Sequence, residues 1–279
     1  MIGKERRLSR IMDRDTKTVI VPIDNSLISG PFAGLHKIED KVNQIITASP
    51  NAILAHVGVF KNDVKNSAIG RIINLSASTT NNNQTLKRII STFDNMIRYD
   101  ADCIAVHINI SSKYEAEMLS DLGKTIAEAE KYSIPVMAII YPRTEDKDST
   151  AYDYLDIKVS DNKKYTDLLC HCVRIAKDMG VDIIKTHYAG NPQAFTKVIE
   201  AAHPIPVVIA GGKIQDAKEL LNITEDAIKC GGKGTSFGRN IFSRKDTVAI
   251  IKAITAIVHD GYSATEAYTK FNPSNELDE

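Results

Sequence analysis

Eight short apolar runs, rich in β-branched residues, recur along the chain at 18–23, 52–57, 72–75, 103–108, 136–140, 183–186, 207–210 and 234–237. Each has the length of a buried parallel strand and is too short for a free-standing helix. Between them apolar residues return at steps of three and four. Leu35, Ile38, Val42, Ile45 and Ile46 form one such face; Leu168, Cys172, Ile175, Ala176 and Met179 form another; Val248, Ile251, Ile254 and Val258 form a third. Pro135, Pro206 and the Gly180-Val181-Asp182 turn mark places where a helix gives way to a strand. Eight strands, each followed by a helix, predict an α/β fold, a single (β/α)8 TIM barrel over residues 1–270. The polar tail at 271–279 is expected to fray. An open doubly wound sheet is the alternative, but the G-x-G-x-x-G that would follow its first strand is absent.

Composition narrows this reading without redirecting it. The 279 residues suit one barrel, which needs about 250. Thirty-five Lys plus Arg balance thirty-five Asp plus Glu, which argues against a nucleic-acid or anionic-membrane partner. No apolar run reaches the roughly 18 residues of a membrane span, and Lys4, Glu5, Arg6 and Arg7 precede no apolar leader core. Cys103, Cys170, Cys172 and Cys230 are too few and too irregular for a disulfide scaffold. A reduced, cytoplasmic protein is expected. The charged stretch 142–162 has no clear helical face; its length suggests a lid over a site or a disordered segment.

A barrel enzyme places its chemistry at the carboxyl ends of its strands. There the chain carries Asp24, His56, His107, Asn109, Tyr141 and Lys185, with Gly211-Gly212 after the seventh run and Gly238-Arg239 after the eighth. Lys185 interrupts an apolar strand, so its amine must snorkel, pair with an acid, or lose its proton. Only the neutral amine attacks a carbonyl, and imine chemistry then needs proton carriers close by. Asp24 and Tyr141 can supply them. An ordinary salt bridge from Lys185 to a carboxylate is the bland alternative. The two glycine loops expose backbone N–H groups at the place where barrels commonly hold phosphate. Arg239 adds a guanidinium there, or is a solvated side chain. A zinc site from His56, His107, His187 and Asp24 would be the metal-dependent rival, but the chain has neither an H-x-H nor an H-E-x-x-H spacing. Cys170-His171-Cys172 falls in a helical stretch and reads as packing with one exposed histidine.

These motifs resemble the archaeal-type class I aldolase family, which contains fructose-bisphosphate aldolases, 2-amino-3,7-dideoxy-D-threo-hept-6-ulosonate synthases, 2-amino-4,5-dihydroxy-6-oxo-7-(phosphonooxy)heptanoate synthases and a related thiolase. The resemblance runs from Arg7-Leu8-Ser9-Arg10-Ile11 through Val21-Pro22-Ile23-Asp24, Ile140-Tyr141-Pro142-Arg143 and Ile184-Lys185-Thr186-His187-Tyr188 to Gly238-Arg239-Asn240-Ile241-Phe242. It implies that Lys185 is the Schiff-base lysine and that Asp24 and Tyr141 are acid/base residues. It also implies that Gly211, Gly212, Gly238 and Arg239 hold substrate phosphate, with His107 and Asn25 contacting substrate. No separate cofactor or metal is implied. A phosphorylated ketose such as dihydroxyacetone phosphate is the expected donor, and a homo-oligomer of up to ten subunits the expected assembly. One departure stands out. Many family members read D-H-G where this chain has Asp24-Asn25-Ser26. The D-x-S-L form resembles synthases that join the donor to aspartate semialdehyde. The other family reactions, and phosphosugar binding without turnover, remain alternatives.

Overall fold

The computed structural model describes residues 2–64, 67–81, 84–143, 158 and 160–278. All eight apolar runs become strands of one closed parallel barrel: β1 (Thr18–Pro22), β2 (Ala52–Ala55), β3 (Gly70–Asn74), β4 (Cys103–Ile110), β5 (Val136–Pro142), β6 (Ile183–His187), β7 (Val207–Ala210) and β8 (Gly234–Ser236). Each strand pairs with the next, and β8 closes on β1 through Thr18↔Gly234, Val19↔Thr235 and Ile20↔Ser236. Thus the ring is complete and the barrel itself has no open edge, unlike the doubly wound alternative.

Strand side chains alternate between two buried layers because successive Cβ atoms point to opposite faces. Ile20, Leu54, Ile72, Ala105, Met137, Ile183 and Val208 fill the inside of the barrel. Their neighbours Val19, Ile53, Ile73, Ile104, Ala138, Ile184 and Val207 face outward and pack under the helices. This two-sided burial explains why the strands read as continuous apolar runs rather than alternating ones. The N-terminal helix Ile2–Ile11 closes the floor, where Leu8, Ile11 and Met12 join the interior cluster. It sits so close to the start of β3 that a Cβ on Gly70 would meet Ile11 Cγ2 at 2.6 Å. Thr18 and Arg10 anchor the helix to strand starts, Thr18 Oγ1 donating to Ile11 O at 2.5 Å and Arg10 Nη1 to Asp102 Oδ1 at 2.9 Å.

The tail differs from the expected frayed end. Arg244, 1% exposed, donates to Ser274 O at 2.7 Å and Asn275 Oδ1 at 3.2 Å. Lys41 pairs with Asp278 at 2.7 Å, and Asp278 N donates to Ser243 O at 2.8 Å. A polar composition argued for a solvated tail; a buried guanidinium that needs carbonyl acceptors holds it down instead. Of the 142–162 stretch, residues 144–157 and 159 lie outside the described residues, while Asn162 opens the helix Asn162–Met179. Within that helix Cys172 is buried and His171 exposed, as a packing role requires. No described helix is long and apolar enough to cross a membrane.

Candidate active site

The interior layers extend upward by the same two-residue period. Counting from Ile20 along β1 reaches Asp24; from Ala105, His107; from Met137, Tyr141; from Ile183, Lys185. Each candidate group therefore shares the inward face of its strand. Register makes neighbours of them: Lys185 lies across from Ile139 on β5 and Val208 on β7, and Tyr141 across from Asn109 on β4.

They meet in a cavity of about 200 Å³ at the carboxyl end of the barrel. Lys185, Tyr141 and Asp24 line it, together with Asn25, His107, Gly211, Gly212, Gly238 and Arg239. His187 also lines it, whereas His56 does not; His56 Nδ1 instead donates to Asn74 O at 3.0 Å. Among the described residues no group of three or more His, Cys, Asp or Glu is placed to hold a metal.

Lys185 is 8% exposed, and burial lowers its pKa below the ordinary lysine value, partly opposed by attraction to Asp24. The amine thereby becomes neutral more readily, which is what addition to a carbonyl requires. Asp24 is held by Asn74, whose Nδ2 donates to its Oδ2 at 2.8 Å. The Tyr141 ring stacks on His187 at 4.2 Å and leans on His107 at 5.0 Å. Both imidazoles are uncharged. Burial takes His187 down to about 3, helped by Lys158 and Lys185, and takes His107 well below its usual range, helped by Lys87 and Arg143. The His107 tautomer follows from its partner. Asn109 Nδ2 is committed to the carbonyls of Gln84 and Thr85, so its Oδ1 accepts from His107 Nε2 at 3.0 Å.

The opposite wall is backbone. Gly238 caps the short helix Arg239–Phe242, and Gly212 sits at φ +66°. A Cβ on Gly211 would lie 2.8 Å from Asn240 Nδ2 and 3.0 Å from Phe237 Cδ1. Asn240 ties the two loops together by donating to Gly211 O at 3.1 Å and Lys213 O at 2.9 Å. Arg239 is not simply solvated: its Nη2 donates to Gly212 O at 2.7 Å while the side chain lines the cavity. An amine of depressed basicity, a carboxylate and a phenol thus face the same cavity as the Gly211-Gly212 and Gly238-Arg239 loops.

Lys87, Arg143, Gln84 and Ser236 line the cavity too, although no site role was read for them in the sequence. Lys87 belongs to a small hairpin, Ser76–Ala77 against Arg88–Ile89, outside any long apolar run. Arg143 directly follows Tyr141-Pro142, and the two-residue period from Tyr141 was the one signal that could have found it.

The profile of the DeoC/LacD family aldolases matches residues 18–244. Among curated proteins, 2-amino-3,7-dideoxy-D-threo-hept-6-ulosonate synthase 1 of Archaeoglobus fulgidus is 36% identical over 262 residues, covering 93% of this chain and 92% of that protein. The 2-amino-4,5-dihydroxy-6-oxo-7-(phosphonooxy)heptanoate synthase of Streptomyces griseus is 29% identical over 263 residues, covering 92% of this chain and 91% of that protein. In fold, the crystal structure of an archaeal fructose 1,6-bisphosphate aldolase is similar at a TM-score of 0.80 and 22% identity, covering 92% of this chain and 100% of that one.

Proposed function

The chain belongs to the DeoC/LacD aldolase family, and from that premise we propose that it is a Schiff-base synthase working on Lys185 without a separate cofactor. Its donor is a phosphorylated ketose of the dihydroxyacetone phosphate type, and its acceptor is aspartate semialdehyde.

Chemistry shared by the two relatives' names supports this acceptor. Both name a seven-carbon 2-amino acid with a ketone at carbon 6. In the product named for the Streptomyces relative, carbons 4 and 5 carry hydroxyls and carbon 7 a phosphate. An aldol disconnection of that β-hydroxyketone between carbons 4 and 5 leaves 2-amino-4-oxobutanoate, which is aspartate semialdehyde, and dihydroxyacetone phosphate. The name of the Archaeoglobus relative's product has a deoxy carbon 7, so the donor half differs while the amino-acid half does not.

The reaction runs as follows. The neutral Lys185 amine adds to the donor ketone, and the carbinolamine loses its hydroxyl as water to give an iminium. Asp24 accepts the proton from the adjacent carbon, leaving an enamine. The enamine carbon bonds to the aldehyde carbon, and Tyr141 donates a proton to the alkoxide that forms. Water then releases product and returns the amine. The Gly211-Gly212 and Gly238-Arg239 loops hold the phosphate, so binding energy remote from the reacting carbons helps to position them. His107 presents a neutral ring beside Tyr141, and Asn25 lines the same cavity.

The observation that carries this reading is the burial of one amine among Asp24, Tyr141 and the glycine cradle in a single cavity. Borohydride treatment with dihydroxyacetone phosphate, followed by mass mapping, is expected to find a reduced adduct on Lys185. Absence of the adduct, with product still formed, would overturn the assignment. Offering aspartate semialdehyde and glyceraldehyde 3-phosphate in parallel separates the synthase from a fructose-bisphosphate aldolase.

A further inference from the structure

The cavity carries more positive charge than a donor phosphate and a Schiff base explain. Four cationic side chains line it, Lys87, Arg143, Lys185 and Arg239, against one carboxylate, Asp24, among the described residues. Arg239 stands with the glycine loops of β7 and β8, and Lys185 is the reacting amine. Lys87 and Arg143 are left on a different wall, reached from β3 and β5. Burying cations is costly unless an anion meets them.

Lys87 is no flexible surface lysine. It is 3% exposed, and its Nζ donates to Ser78 Oγ at 2.6 Å, a neutral partner; Asp24 attracts it, but it forms no ion pair among the described residues. Its hairpin is pinned on two sides. Asn109, at the end of β4, holds Gln84 O at 3.2 Å and Thr85 O at 2.9 Å, and Ile90 N donates to Leu75 O at 2.8 Å. Arg143 reaches the same hairpin through Nη2 to Gln84 Oε1 at 3.3 Å, and its Nε is buried with no hydrogen-bond partner among the described residues. An ammonium and a guanidinium, both with donors to spare, are therefore fixed side by side across the cavity from the phosphate cradle.

We infer that Lys87, supported by Arg143, is the specificity-determining residue that binds the carboxylate of the acceptor aldehyde. This rests on the proposed synthase reading and adds the recognition that the Schiff-base chemistry lacks: it tells an amino-acid aldehyde from a neutral one. Depressed lysine basicity at this position fits a buried charge awaiting its partner.

The test uses K87M and the milder K87R in the full-length enzyme, with dihydroxyacetone phosphate as donor. Three acceptors are compared: aspartate semialdehyde, glyceraldehyde 3-phosphate and uncharged glyceraldehyde. For K87M, KM for aspartate semialdehyde should rise about thirtyfold or more, the scale of removing one partner of a buried charge pair. Activity with glyceraldehyde and borohydride trapping at Lys185 should stay within about twofold. K87R should recover most of the lost affinity. Three outcomes would overturn the inference: an unchanged KM for aspartate semialdehyde, an equal loss with glyceraldehyde, or a loss confined to glyceraldehyde 3-phosphate. The last would mean that this wall is built for a second phosphate. Failure of trapping in the wild-type enzyme would instead sink the Schiff-base reading, so the two failures are distinguishable.

Discussion

Asn74, the last residue of β3, donates its amide hydrogen to Asp24 Oδ2 at 2.8 Å, bridging two strands that flank β2 in the barrel wall. The bond commits one carboxylate oxygen and leaves Oδ1 without a protein partner among the described residues. The same amide's oxygen accepts from Ser76 N at 3.1 Å and Ser76 Oγ at 3.2 Å. Asn74 thus orients Asp24 from a position outside the cavity lining.

Asn74→Ala should therefore impair proton transfer more than binding. The expected loss in kcat is about tenfold to a hundredfold, with KM for the donor nearly unchanged. Stability should fall by about 1–3 kcal/mol, because buried polar partners lose their bonds. Steady-state kinetics and denaturant melts check both. An increase in KM with kcat intact would place Asn74 among substrate contacts instead.

Gly211→Ala tests the cradle. The added methyl meets Asn240 Nδ2 at 2.8 Å, so the loop must shift away from where the phosphate is proposed to sit. KM for dihydroxyacetone phosphate should rise about tenfold or more, while the slower reaction of unphosphorylated dihydroxyacetone should hardly change. Equal losses with both ketones would argue against a phosphate role for this loop.

Lys87 sets a pH dependence. Burial, then Arg143, bring its pKa down to about 7, with Asp24 opposing, and His107 faces the same group. Its ammonium is present below about 7 and is lost as pH rises through that value. The kcat/KM ratio of aspartate semialdehyde to glyceraldehyde should fall from about pH 7 to 9, and K87R should flatten that fall. Between the folded value and the ordinary lysine value the unfolded chain binds the extra proton, so native stability from this site rises with pH. The Tm advantage of K87M should accordingly be largest at or below pH 7 and shrink toward pH 10. An advantage independent of pH would show that the side chain is not a buried charge.

Arg244 links the tail to the cradle, since its Nε donates to Asn240 O at 2.9 Å and its Nη2 to Gln215 O at 2.6 Å while Nη1 holds Ser274 O. Removing residues 273–279 leaves buried guanidinium donors unpaired, and Tm should fall by several degrees. KM for the phosphorylated donor should rise a few fold as the loop loosens. An unchanged melt would mean that the tail contacts are dispensable.

Residues contiguous with an apolar strand were legible in the sequence. Lys185, Tyr141, His107 and Asp24 continue the inward period of runs whose burial composition alone dictates, and the glycine pairs follow the last two runs directly. Lys87 was not, because it sits on a hairpin whose position depends on Asn109 side-chain bonds that no local pattern encodes. Asn74 hid for a different reason. It closes a strand as a polar residue, and only the barrel's curvature brings it to Asp24. The tail misled because polarity predicts solvation, and the buried acceptor-seeking guanidinium of Arg244 looks in sequence like any surface arginine.

The helix that floors the barrel and the strap clamped by Arg244 belong to opposite ends of the molecule. For mounting on a solid support this asymmetry is decisive. A tether grafted to the flooring helix leaves the open mouth facing the liquid and its loops unstressed. One grafted to the strap pulls, through Arg244, on the carbonyls of Asn240 and Gln215.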